Sequence, residues 1–199
     1  MVPQIKNDGE VAIIEFKNTH NSIVNSIRRT IIDEVPTFAI EDVEVVLNES
    51  PLYDETIAHR LGLIPLKTDL ESYNLKKNCT CGGVGCALCE VKLSLVAQGE
   101  GYVLSSELKS DDPQIVPVDT QIPITKLFGD KKIELNLKAE LGTGREHAKW
   151  SPAHVYLREA EGQTIELVVE SHGQLEVDTM YNKALDILIE KIKKLEENL

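Results

Sequence analysis

Apolar side chains recur at helical spacing in residues 21–35. Ile23, Ile27, Ile31 and Val35 step by four residues, which predicts that they share one face of a helix. Pro36 ends this helix, because a residue that precedes a proline is disfavoured in the helical conformation. The pattern therefore predicts a helix over residues 21–35 with one apolar face.

A second apolar stripe runs along the C-terminal segment, from about Glu176 to Leu199. Its spacing alternates between four and three residues, which is typical of a coiled coil. The stripe consists of Tyr181, Leu185, Leu188, Ile192, Leu195 and Leu199. A single helix cannot bury this much apolar surface by itself. The stripe therefore packs on the chain's own sheet or meets a helix of a partner chain.

Alternating apolar and polar positions predict antiparallel strands between the two helices. Residues 91–97 and 133–141 alternate most regularly, and a change of phase near Glu41–Asp42 indicates a β-bulge. Both ends of the chain combine helix with strand, whereas the middle is β-rich. The predicted fold class is α+β, with a discontinuous domain of residues 1–46 and 153–199 that is interrupted by an insert domain of residues 47–152.

The net charge of the chain argues against direct nucleic-acid binding. The 199 residues carry 21 basic and 33 acidic side chains, a net charge of −12, and no segment is basic. Strong direct binding of nucleic acid is not expected, because phosphate binding needs clustered Lys and Arg. No apolar run approaches the ~20 residues of a membrane span, and the N-terminus lacks the pattern of a signal peptide. We therefore expect a cytoplasmic protein without a membrane partner.

All four cysteines, Cys79, Cys81, Cys86 and Cys89, lie in the segment CTCGGVGCALC. Four thiolates around one point match a structural Zn²⁺ site, which has no open position for catalysis. A [4Fe–4S] cluster also takes four cysteines. Two disulfides, or a cysteine-rich turn with no metal bound, are the remaining interpretations of the segment. We expect a metal at these four cysteines, with zinc as the first choice and Lys76, Lys77 and Lys92 offsetting part of the thiolate charge.

Arg28 and Arg29 are neighbours on the first predicted helix, ~100° apart around its axis. On an acidic chain they are candidates for bidentate pairing with carboxylates of a partner, and the alternative is a solvated pair. The sequence contains no phosphate-binding loop, dinucleotide fingerprint, nucleophile elbow or zinc-protease motif. No catalytic residue is predicted.

Three segments resemble a known family. They are the helix end NSIRRTIIDEVP, the turn AHRLGLIPL, both within residues 21–66, and the loop EHAKWSP at 146–152. By these segments the chain closely resembles the D subunits of archaeal DNA-directed RNA polymerases. It is also similar to the third-largest subunit of eukaryotic RNA polymerase II and, more distantly, to the bacterial alpha subunit.

The resemblance implies a dimerisation domain that pairs with the small subunit L through helices of both chains. We expect the surface to comprise Ile23, Ile27 and Ile31 together with the C-terminal stripe. The pair would be the platform for the largest and second-largest subunits, joined by the small subunits N and P. Arg28 and Arg29 would face the second-largest subunit. Nucleotidyl transfer would belong to the large subunits, so the chain would act in it only as a subunit.

The cysteine loop looks like the zinc loop of the eukaryotic counterpart, with one more residue between the second and third cysteines. That difference leaves the identity of the metal open. Two further functions stay open from the sequence: an iron–sulfur redox protein or sensor, and a free-standing zinc adaptor.

Overall fold

A computed structural model describes residues 4–7, 11–160 and 164–198. In chain order the strands are β1 (Gln4–Asn7), β2 (Val11–Lys17), β3 (Thr37–Asn48), β4 (Glu90–Gln98), β5 (Gly101–Leu104), β6 (Leu108–Ser110), β7 (Pro123–Leu127), β8 (Lys132–Gly142), β9 (Ala153–Ala160) and β10 (Thr164–Ser171). The helices are α1 (Asn21–Glu34), α2 (Asp54–Gly62) and α3 (Val177–Glu196). The α+β class expected from the sequence is confirmed.

The chain divides into two compact units. The terminal unit comprises Met1–Pro36 and Thr143–Leu199, and the central unit is Thr37–Gly142. The sequence placed the two boundaries at 46/47 and 152/153, ten residues further along the chain. The reason for the difference is that β3 pairs with β8 along nearly its whole length, from Thr37 opposite Gly142 to Asn48 opposite Ile133.

The terminal unit contains an antiparallel sheet in the order β1-β2-β10-β9, and α1 contacts α3, β9 and β10. Helix α1 ends where expected, because Val35 is extended before Pro36 and its N–H donates to Thr30 O at 3.1 Å. The aromatic rings of Phe16 on β2 and Tyr181 on α3 lie 6.4 Å apart, centroid to centroid. Sheet and helices therefore share one apolar core in this unit.

The central unit contains a second antiparallel sheet in the order β3-β8-β4-β6, the pair β5-β7 and α2. The strands predicted at 91–97 and 133–141 are β4 and β8, and the alternating apolar side chains that the pattern identified face the core in both. The bulge expected near Glu41–Asp42 is confirmed by a register shift between Ile40 and Asp42. A second shift, between Val45 and Leu47, was not predicted.

Helix α3 carries the C-terminal stripe, and the structure describes it up to Glu196, with Leu199 outside the described residues. Within the part of the chain that is described, no helix has the length and apolarity of a membrane span.

Candidate metal centre and subunit-docking surfaces

The four cysteines converge in a loop that leads into β4. Cys79 follows a short 3-10 turn at Lys76–Asn78, and Cys89 lies immediately before the first residue of β4. The four Sγ atoms all lie within 4.8 Å of one another. Three of the pairs are Cys79–Cys86 at 3.5 Å, Cys81–Cys89 at 3.7 Å and Cys86–Cys89 at 3.8 Å. The four cysteines, which are close together in the sequence, therefore form one group of sulfur donors in the structure.

These sulfur distances distinguish the kinds of centre that four cysteines can form. Four thiolates at ~2.3 Å from one tetrahedral Zn²⁺ stand about 3.8 Å apart, close to the observed separations. In a [4Fe–4S] cluster each thiolate binds a different iron, so the sulfurs stand on the outside of a cube and are much further apart. A disulfide requires sulfurs about 2.05 Å apart, and all four cysteines are free thiols here. The donor set fits a single ion.

Glycine and backbone amides shape the metal loop. Gly85 has φ +101°, a conformation that strains any residue with a side chain, and a Cβ there would lie 2.6 Å from Glu90 Oε2, so the Glu90 carboxylate would also have to move. The backbone N–H of Gly85 lowers the pKa of the Cys81 thiol to about 6, whereas burial raises the pKa of Cys89 to about 12. The Cys86 N–H donates to Cys89 Sγ at 3.3 Å. Backbone donors therefore favour thiolates in part of this loop.

Lys76 ties the metal loop to the central sheet. Glu90 and Glu140 lie directly opposite each other on β4 and β8, where like charges repel. Lys76 Nζ is 2.8 Å from Glu140 Oε2 and 3.8 Å from Glu90 Oε2, and Lys138 Nζ is 3.9 Å from Glu90 Oε1. The hydrogen bond to Glu140 raises the pKa of Lys76. Lys76 therefore interacts with two carboxylates, Glu90 and Glu140, which the sequence had not indicated as its partners.

The apolar stripe of α3 is covered at its N-terminal end and open at its C-terminal end. Tyr181 is buried, Leu185 and Leu188 are half-buried, and Ile192 and Leu195 are 64% and 62% exposed. Ile189 adds a further exposed side chain at 50%. Tyr181 is therefore removed from the expected partner surface, because it packs in the terminal unit's own core. The open half of the stripe remains a candidate.

The apolar face of α1 is mostly internal, which corrects the expected partner surface. Ile27 and Ile31 are 3% and 0% exposed, so the chain itself covers them. Ile23 is 55% exposed. Each step of four residues advances about 40° around a helix, so Ile23 lies at the edge of an apolar arc that Val24, Ile27 and Ile31 define. Of the three isoleucines, only Ile23 is open to a partner.

The two neighbouring arginines of α1 have different surroundings. Arg28 is half-buried, and its Nε donates to Asn25 Oδ1 at 3.0 Å. Arg29 is exposed and lines a cleft of about 630 Å³. Arg145, which the sequence analysis did not identify, lines the same cleft. Only its position directly before the EHAKWSP loop could have drawn attention to it.

The central unit also exposes large apolar side chains. Tyr102 and Phe128 are 65% and 52% exposed, and Lys126 Nζ lies 5.2 Å and 5.1 Å from their ring centroids. Val84 and Leu88, within the metal loop, are 86% and 51% exposed. Apolar surface is thus open to contact in both units.

Comparisons with known proteins give a consistent result. A sequence family described as the RNA polymerase Rpb3/RpoA insert domain matches residues 43–157. Among curated relatives, DNA-directed RNA polymerase subunit Rpo3 of Archaeoglobus fulgidus is 41% identical, over 78% of this chain and 60% of that protein. The subunit of the same name from Pyrococcus furiosus is 46% identical, over 72% and 52%. That from Methanosarcina acetivorans is 47% identical, over 68% and 51%. The matches cover about half to three fifths of the relatives' length.

Proposed function

The chain belongs to the RNA polymerase Rpb3/RpoA insert domain family, and from that premise we propose that it is a non-catalytic assembly subunit of an archaeal DNA-directed RNA polymerase. The relatives named as Rpo3 subunits support this proposal. The apolar surface left open on both units supports it too, because exposed apolar patches mark contact sites. Nucleotidyl transfer is then assigned to the large subunits, and this chain supplies no catalytic residue.

The terminal unit is proposed as the dimerisation domain, with the small subunit L as its partner. The observation that carries this step is the open half of the α3 stripe, formed by Ile189, Ile192 and Leu195, with Ile23 on α1 as a further contact. Half-buried Leu185 and Leu188 continue the same stripe toward the core. A helix of the partner would cover this stripe.

The resulting pair is proposed as the platform for the rest of the enzyme. Arg28 and Arg29 would face the second-largest subunit, the largest subunit would join next, and the small subunits N and P would attach to the pair. The exposed Tyr102 and Phe128 are available for such contacts in the central unit, the proposed insert domain. Assembly of this kind needs no strong nucleic-acid binding by this chain, and it takes place in the cytoplasm.

Zinc is the proposed metal of the central unit, held by Cys79, Cys81, Cys86 and Cys89. The sulfur separations of 3.5 to 3.8 Å favour it over an iron–sulfur cluster. The ion would fix the loop on which Val84 and Leu88 are exposed, a structural role without chemistry of its own.

Co-expression with and without subunit L tests the assembly proposal. We expect the lone chain to self-associate, because its open stripe has no cover, and the co-expressed pair to elute as a colourless heterodimer with one zinc. A lone chain that is a stable, soluble monomer with cooperative unfolding, and that does not bind L, would refute dimerisation. A brown pair with absorbance near ~400 nm would instead indicate an iron–sulfur cluster.

A further inference from the structure

We propose that Arg29 and Arg145 together bind one carboxylate from an acidic segment of the second-largest polymerase subunit, in the cleft of the terminal unit. This inference rests on the proposed function, because that function supplies the partner. It adds a second binding residue, from a different part of the chain, to the arginine that the sequence identified. The partner chemistry it names is a carboxylate side chain on a protein.

The cleft lies where α1, α3 and the loop that begins at Thr143 come together. Its volume is about 630 Å³. Charged and apolar side chains line it, among them Arg29, Asp33, Glu34, Arg145, Leu188 and Lys191. Three cations against two carboxylates leave the cleft net positive on a chain whose net charge is −12. An anionic group is therefore attracted here and repelled over most of the surface.

Backbone contacts hold the loop of Arg145 against the end of α1. The N–H of Arg145 donates to Asp33 O at 2.9 Å, one of the carbonyls that a helix end leaves without a partner. A Cβ on Gly144 would lie 2.0 Å from Ile32 O, so the loop fits this closely only because residue 144 has no side chain. These contacts fix the backbone of Arg145 and leave its guanidinium unused.

Lys191 and Glu34 have ion-pair partners within the cleft, whereas in the described part of the chain the two arginines do not. Lys191 forms an ion pair with Glu34 and so links α3 to α1. Among the residues that the structure describes, the guanidinium groups of Arg29 and Arg145 have no hydrogen bond or ion pair, and both side chains are exposed. Arg28 does not line the cleft.

A carboxylate is the group that such a pair accepts best. Each guanidinium presents a planar fork of N–H donors that matches the two carboxylate oxygens. Two cations that face one cleft repel each other, and an anion between them removes that repulsion. Leu188 supplies an apolar wall for the aliphatic part of an Asp or Glu side chain. The cleft therefore suits an acidic side chain of a partner protein.

The test measures the affinity of the heterodimer for the purified second-largest subunit. Arg29→Gln and Arg145→Gln are each expected to weaken binding about tenfold, as for loss of a hydrogen bond to a charged group. The double variant should weaken it by less than the product of the single effects, because the two residues hold the same carboxylate. Arg145→Lys keeps the charge but lacks the bidentate fork, so it should recover only part of the affinity that Arg145→Gln loses. The heterodimer with L should form normally in every case.

Two controls make the result specific to the cleft. Arg158→Gln removes an arginine of the same unit that pairs with Glu166, at 2.6 Å, and should leave the affinity unchanged. In a double-mutant cycle of Arg28→Gln with Arg145→Gln, the loss of affinity in the double variant should equal the product of the two single losses, because Arg28 lies outside the cleft.

Full affinity in Arg145→Gln, or multiplying effects for Arg29 with Arg145, would overturn the inference while leaving the assembly role intact. If the unmodified chain binds neither L nor the second-largest subunit, the proposed function is refuted and the inference with it.

Discussion

Truncation of the open half of the α3 stripe gives the sharpest quantitative prediction. Ile192 and Leu195 are 64% and 62% exposed, so their replacement by alanine removes little packing within the chain. We expect the double variant Ile192→Ala with Leu195→Ala to unfold at nearly the same temperature as the unmodified chain. Alanine also favours the helix, which offsets part of any remaining loss.

The same truncation should weaken the heterodimer strongly. Complete burial of an isoleucine or leucine side chain is worth ~1.5–3 kcal/mol. With roughly two thirds of each side chain still open, ~1–2 kcal/mol per residue is left for the partner to bury. Together the two residues contribute about 2–4 kcal/mol, which corresponds to a loss of affinity of about 30-fold to 1,000-fold.

Sedimentation or fluorescence titration of the chain with subunit L measures this change in Kd. The matched control is Glu190→Ala with Lys194→Ala, which removes two exposed side chains from the opposite side of α3. The control should bind L with unchanged affinity. Equal affinity for the stripe variant and the unmodified chain, or an equal loss in the control, would refute the proposed role of the stripe.

Two further predictions concern the core and the metal loop. Ile31 is 0% exposed, so Ile31→Ala should destabilise the terminal unit by ~2–5 kcal/mol in thermal unfolding. Ile23 is 55% exposed, so Ile23→Ala should change the stability little. Equal effects of the two variants would mean that Ile31 is not a core residue. Cys89→Ser should lower zinc content, measured by atomic absorption, and loosen the central unit without affecting binding of L; unchanged zinc would exclude Cys89 as a ligand.

Local patterns predicted the strands of the central unit well. Alternation in residues 91–97 and 133–141 has one interpretation, because a strand with one buried face must repeat every two residues. The phase change near Glu41–Asp42 located a bulge for the same reason. The four-cysteine site could be predicted equally well from the sequence, because its four sulfur donors are close in sequence and one loop brings them together.

Helix faces were harder to interpret, because periodicity shows which side is apolar but not what covers it. Tyr181, Ile27 and Ile31 belong to the same apolar stripes as Ile192 and Ile23, yet the chain's own sheet and helices bury the first three. Only the tertiary fold separates the two groups.

Arg145 shows a different limit of sequence analysis. It lies 116 positions after Arg29, and nothing local connects the two. They line one cleft because Gly144 allows the loop to approach Ile32 O and because Asp33 O accepts the N–H of Arg145. Contacts of this kind depend on tertiary packing, which no periodicity encodes.

Hydroxyl-radical footprinting of this chain in the assembled archaeal polymerase measures the burial of individual side chains. With the unassembled chain as reference, diluted until sedimentation shows a monomer, Ile189, Ile192 and Leu195 should lose most of their oxidation in the complex, while the already buried Tyr181 should stay protected in both states. Oxidation of Ile192 and Leu195 at equal rates in both states would mean that no other subunit covers α3, and the scaffold role proposed for the chain would be wrong.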